Sequence, residues 1–124
     1  DHVTFTGQVP YEEAANLLAL GDIAVSPKIS RTEGAGKLLN YMAMGLPTVA
    51  FDMPVSREYL GDLGVYAAFA DVADLARCLG ALADDAPRRQ ALGQALRQRA
   101  ESQYAWEARG ETILGVYERA TRQG

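Results

Sequence analysis

Short runs rich in Val, Ile, Thr and aromatic residues recur at 3–6, 23–26, 48–51 and 65–69, each bounded by Gly, Pro or Asp, and helical patterns separate the first three. No other feature limits the fold as strongly. Strands that alternate with helices and are apolar almost throughout belong in a parallel sheet covered on both faces and wound by right-handed crossovers.

The intervening patterns carry their own start and stop signals. Pro10 suits the opening of a helix, Glu12 and Glu13 favour its positive end, Tyr11, Ala14, Ala15 and Leu18 mark one face, and Gly21 stops it. Leu38, Leu39 and Met42 repeat at helical spacing until Gly45 and Pro47. From Asp71 onward no strand is expected. Asp71 caps a helix with Val72, Leu75, Leu79 and Leu82 inward, and Asp74 stands at capping-box spacing. Pro87 opens a second helix with Leu92 and Leu96 inside and Arg88, Arg89, Arg97 and Arg99 on a solvated face. A third, over 106–120, presents Ile113, Leu114 and Tyr117 for packing.

The expected class is therefore α/β: a partial Rossmann-like domain of about four parallel strands flanked by helices, with a helical C-terminal segment, one domain over residues 1–124. Four strands are few for such a sheet, so more of it is expected upstream. If residues 3–6 form an uncovered edge, self-association through that strand is expected.

Composition narrows the function. A net charge of −4 without a basic cluster argues against a nucleic-acid partner, which duplex binding would require. Cys78 has no second cysteine to pair with, and no apolar run nears the roughly 18 residues of a membrane span, so a cytoplasmic location is expected. His2 is the sole histidine and leaves little for histidine-based catalysis.

Ligands of parallel α/β sheets sit beyond the carboxyl ends of the strands, where loops enter helices. Residues 27–36 form such a loop. Gly34 and Gly36 allow close backbone approach, and the amides near Gly36, Lys37 and Leu38 can donate to phosphate oxygens, with Lys28, Arg31 and Lys37 making the stretch locally positive. The stretch is no P-loop, because Arg31 and Leu38 stand where Gly and Ser or Thr are needed. It is no dinucleotide fingerprint either, because Leu39 replaces a small residue. A carboxylate at Glu33 would be repelled by phosphate. It therefore either serves a sugar attached to the phosphate or complements its helix end.

The segments VTFTGQVP, LLALGDIAVSP, EGAGKLLNYMAMGLPTVAFD, SREYLG and YAWE, in this order and spacing, resemble the C-terminal, donor-binding half of the retaining group 1 glycosyltransferases of GT-B architecture. The resemblance covers essentially the whole chain. It implies that Glu33 contacts the donor sugar, that the amides of Gly34, Ala35 and Gly36 approach the sugar and its phosphates, and that Lys37 and Leu38 offer helix-entrance amides to the diphosphate. It places the ribose at Asn40, and the backbone of Gln8 and Val9 near the base. Asn40 departs from the family pattern, being an amide where an acid is usual and one position closer to Glu33. The implied substrate is a nucleoside-diphosphate sugar, with no metal and no separate cofactor.

The reading is thus a truncated nucleotide-sugar-binding domain whose parent transfers a sugar with retention, inactive alone and lacking its N-terminal acceptor domain, with the parent peripheral at a membrane in one version. Two alternatives stay open. One is a noncatalytic nucleotide-binding or interaction module, and the other is a sugar-nucleotide epimerase of similar architecture.

Overall fold

The computed structural model describes residues 2–122. In chain order the elements are α1 (Tyr11–Leu18), β1 (Ala24–Ser26), α2 (Gly36–Ala43), β2 (Thr48–Phe51), α3 (Pro54–Leu60), a 3₁₀ turn (Gly61–Leu63), β3 (Val65–Ala67), α4 (Val72–Ala83), α5 (Ala86–Gln103) and α6 (Trp106–Arg122). The sheet is parallel in the order β1-β2-β3, with Val25 opposite Val49 and Val49 opposite Val65.

The sheet has three strands where about four were expected. Residues 3–6 pair with no strand among the described residues, and Val3 and Phe5 are exposed, so the anticipated edge strand is not formed there. β-propensity reflects fit to a neighbouring strand, and here none lies alongside.

Every residue of β2 is buried, and its alternation splits the core into two layers. Ala50 faces Leu38 and Met42 of α2, Leu60 of α3, and Leu96 and Ala100 of α5. Val49 and Phe51 face the other way, toward Cys78 and Leu82 of α4. Cys78 is a small buried hydrophobe there, its thiol 3.6 Å from the Tyr66 carbonyl oxygen. Helices thus cover both faces of the sheet.

α2 ends in a Schellman turn: the Leu46 amide donates to the Tyr41 carbonyl and that of Gly45 to Met42, both at 3.0 Å, with Gly45 at a φ of 68°. The left-handed φ explains the glycine. α4 is capped as expected by Asp71, whose carboxylate accepts from the Asp74 amide at 2.9 Å. Asp74 reaches instead to the Ala68 amide at 2.7 Å and ties down the β3–α4 loop. Val72, expected inward, is exposed, and Cys78 joins Leu75, Leu79 and Leu82 on the buried face.

Two of the four arginines placed on a solvated face are structural. Arg89 donates to the terminal carbonyls of Leu82 and Ala83 in α4. Arg99 donates to those of Tyr59 at 2.8 Å and Glu58 at 3.1 Å in α3. Helix C-termini leave carbonyls unpaired, and a cation from a neighbouring helix satisfies them. Arg88 and Arg97 do lie on the surface. On α6, Ile113, Leu114 and Tyr117 are more than half exposed and are buried by nothing among the described residues, contrary to expectation. An apolar stripe shows that a helix face suits a cover, without specifying the covering element.

Candidate functional site

β1 ends at Ser26, and the chain then runs over the carboxyl edge of the sheet before entering α2 at Gly36. This loop and the first turn of α2 enclose an open cleft of about 280 Å³ lined by Ser26, Pro27, Lys28 and residues 33–37. Five of the expected site residues, Glu33, Gly34, Ala35, Gly36 and Lys37, therefore come together.

The polar groups of the cleft divide sharply. The amides of Gly34, Ala35, Gly36 and Lys37 meet no acceptor among the described residues, whereas the Leu38 amide donates to the Ala35 carbonyl at 2.9 Å. Leu38 was expected among the open donors. Instead its amide is occupied and its side chain is fully buried in the core. Ala35 is only 3% exposed, and a buried amide without an acceptor is a group that ordinarily has a partner. The positive end of α2 is thus presented to whatever fills the cleft.

Lys28 crosses beneath the loop. Its ammonium donates to the main-chain carbonyls of Glu33 and Gly34, both at 2.7 Å, and lies 3.9 Å from Glu33 Oε2. The Lys28 side chain is 16% exposed and that of Glu33 78%, so the carboxylate stands at the mouth of the cleft with the ammonium behind it. Arg31 turns away and lies over the Phe69 ring at 5.0 Å. Of the three local cations, Lys37 is the one that lines the cleft and meets no acceptor among the described residues.

The remaining predicted residues lie elsewhere. Asn40, one turn into α2, lines an apolar groove of about 340 Å³ between α1 and α2, together with Tyr11, Ala14, Leu18 and Met44. Gln8 is exposed and Val9 half-buried in the segment before α1, and neither lines the Glu33 cleft.

A second cleft of about 290 Å³ lies beyond β2 and β3, between Arg31, Asp52, Met53, Val55 and Phe69. Arg57 grips Asp52 there with two hydrogen bonds, of 2.8 and 2.9 Å, and its guanidinium lies 3.9 Å from the centre of the Tyr66 ring. Hydrogen bonding from Arg57 holds the Asp52 carboxyl below the ordinary carboxylate range, and burial raises the Tyr66 phenol. Sequence reasoning missed Lys28 as a loop anchor and this pair, since spacings of five and six residues match no regular repeat. Among the described residues no three His, Cys, Asp or Glu side chains gather as a metal-binding group, and no helix is long and apolar enough to cross a membrane.

Amides without an acceptor among the described residues thus stand beside an acid at the carboxyl edge of a parallel α/β sheet, the edge where ligands of such sheets ordinarily bind. The family model described as glycosyl transferases group 1 matches residues 1–85, and the chain belongs to that family. It is 31% identical, over 98% of its length, to the GDP-mannose-dependent monoacylated alpha-(1-6)-phosphatidylinositol monomannoside mannosyltransferase of Corynebacterium glutamicum. It is also 31% identical, over its full length, to the phosphatidyl-myo-inositol mannosyltransferase of Mycobacterium leprae, and 28% identical over 94% to the alpha-D-kanosaminyltransferase of Streptomyces kanamyceticus. It spans about a third of each relative, 34%, 33% and 31% respectively.

Proposed function

We propose that the chain is the donor-binding, C-terminal part of a retaining GT-B glycosyltransferase, and that the cleft at the start of α2 holds the diphosphate of a nucleotide sugar. The observation that carries this reading is the run of four amides, from Gly34 to Lys37, that meet no acceptor among the described residues and stand beside a carboxylate in one cleft. A helix entrance of this kind favours negative charge and donates directly to phosphate oxygens. Because the diphosphate gains charge as its bond to the anomeric carbon breaks, the same amides and Lys37 stabilise the leaving group.

Glu33 then faces the sugar. Its carboxylate accepts hydrogen bonds from sugar hydroxyls and offsets positive charge developing at the anomeric carbon. The nucleoside extends past α2 toward Asn40, whose amide can both accept from and donate to a ribose, and toward Gln8 and Val9. Two relatives are named mannosyltransferases and one name specifies GDP-mannose, so GDP-mannose is the first donor to test.

The acceptor domain is assigned to the part of the parent beyond this chain. The uncovered apolar face of α6 favours packing against such a part. The departure at Asn40 favours one second reading, a domain that binds the nucleotide and performs no transfer.

Calorimetric titration of the full-length protein with GDP, UDP and ADP, each compared with its monophosphate and nucleoside, tests the assignment. One diphosphate should bind well above its nucleoside. A protein that does not distinguish the two has no diphosphate site at α2. Binding without sugar transfer from the matching donor selects the second reading.

A further inference from the structure

We propose that Lys28 is a positioning residue, which turns two peptide planes of the loop so that their amides, and not their carbonyls, face the bound anion. The inference deepens the donor-site reading and rests on it for the identity of the anion.

A trans peptide points its C=O and N–H in opposite directions, and the described chain has no cis bond. The Glu33 carbonyl shares its plane with the Gly34 amide, and the Gly34 carbonyl shares its plane with that of Ala35. Lys28 Nζ holds both carbonyls at 2.7 Å. Both amides must therefore face away from the ammonium, continuing the donor series of Gly36 and Lys37. A flip of either plane would replace a donor with a carbonyl oxygen, which repels phosphate.

Little else fixes these planes. Neither carbonyl takes part in any other hydrogen bond described, and apart from its chain neighbours no described atom lies within 4 Å of the place a Cβ would take on Gly34. Glycine tolerates nearly all backbone conformations, so the selection falls to the lysine. Its own side chain is 16% exposed, and its donors are engaged with the main chain, so a direct grip on phosphate is not its main task. The contact reaches five and six residues along the chain and closes a ring that spans Arg31 and Glu33.

The test compares the full-length protein with Lys28→Met, which keeps the stem, and Lys28→Arg, which restores a cation. In the ligand-free state, limited trypsin digestion is followed by mass spectrometry at the exposed Arg31–Thr32 bond. Loss of two hydrogen bonds from a charged donor should release the loop and speed that cleavage by about tenfold or more in Lys28→Met, with substantial rescue in Lys28→Arg. Far-UV circular dichroism and cleavage at sites outside residues 28–37 should be unchanged. Affinity for the nucleoside diphosphate should fall in Lys28→Met while affinity for the nucleoside holds.

Unchanged cleavage at Arg31 overturns the proposal, and weakened diphosphate binding without faster cleavage reassigns Lys28 as a simple charge ligand. If the wild type binds no diphosphate, the donor reading fails, and the cleavage comparison still decides whether Lys28 holds the loop.

Discussion

Gly93 of α5 rests on the carbonyl of Gly45, the residue that ends α2: a Cβ built on Gly93 would stand 2.2 Å from the Gly45 oxygen. The two main chains meet directly, which locks α5 against the helix whose other end forms the candidate site. Gly93→Ala should force these segments apart and destabilise the protein by about 1–3 kcal/mol. Gly80 in α4 has nothing within 4 Å of its Cβ position, so Gly80→Ala should be neutral or stabilising by up to about 1 kcal/mol. Urea denaturation of the two variants checks the contrast, and equal effects would contradict the contact.

Arg99 holds the end of α3 from forty residues away. Removing its guanidinium in Arg99→Met leaves the Tyr59 carbonyl without that donor and weakens the hold on Glu58, whose carbonyl keeps the Tyr104 hydroxyl at 2.9 Å. A loss of about 1–3 kcal/mol is expected, against about 0.5–1.5 kcal/mol for Tyr104→Phe, which forfeits one neutral hydrogen bond. Chemical denaturation gives both values. An Arg99→Met protein as stable as the wild type would show a solvated arginine after all.

Acid should weaken the fold through two carboxylates. Arg57 lowers Asp52, and the Ala68 amide, followed by Arg77, lowers Asp74. A folded-state pKa below the unfolded value contributes stability that is fully present above the unfolded carboxylate range and is lost as pH falls through the folded pKa. Stability should therefore hold from neutral pH down to about pH 5 and decline below about pH 4. Asp52→Asn should flatten part of that decline, as read from denaturation midpoints across pH. Asp52 is about half exposed and Asp74 partly so, and the effect is therefore reduced by salt. An unchanged acid limb in Asp52→Asn would remove the pair from the account.

Much of this architecture was legible because its signals are local. Asp71 before an apolar repeat predicted the cap of α4, and Gly45 with Pro47 predicted the stop of α2. The buried strands announced themselves by their β-branched runs. Residues 3–6 carried the same propensity and misled, because a strand also requires a partner that propensity cannot supply. Arg89 and Arg99 were misread for a related reason: the carbonyls they satisfy belong to other helices, out of reach of any periodicity. In the site, the glycines and the helix entrance were readable. The occupied amide of Leu38 and the grip of Lys28 on two carbonyls were not, since both depend on the path of an irregular loop.

Glu33 is the residue on which the proposed transfer chemistry depends. In the full-length protein, supplied with the donor whose diphosphate binds, Glu33→Gln should lower kcat for the proposed sugar transfer by about 10²–10³, the scale of losing one group that stabilises transition-state charge. The affinity for the nucleoside diphosphate, measured on the same preparation, should stay within about twofold, because the amides of residues 34–37 are untouched. Undiminished transfer, or a fall in diphosphate affinity as large as the fall in kcat, would contradict the division of labour proposed between the acid and the amides.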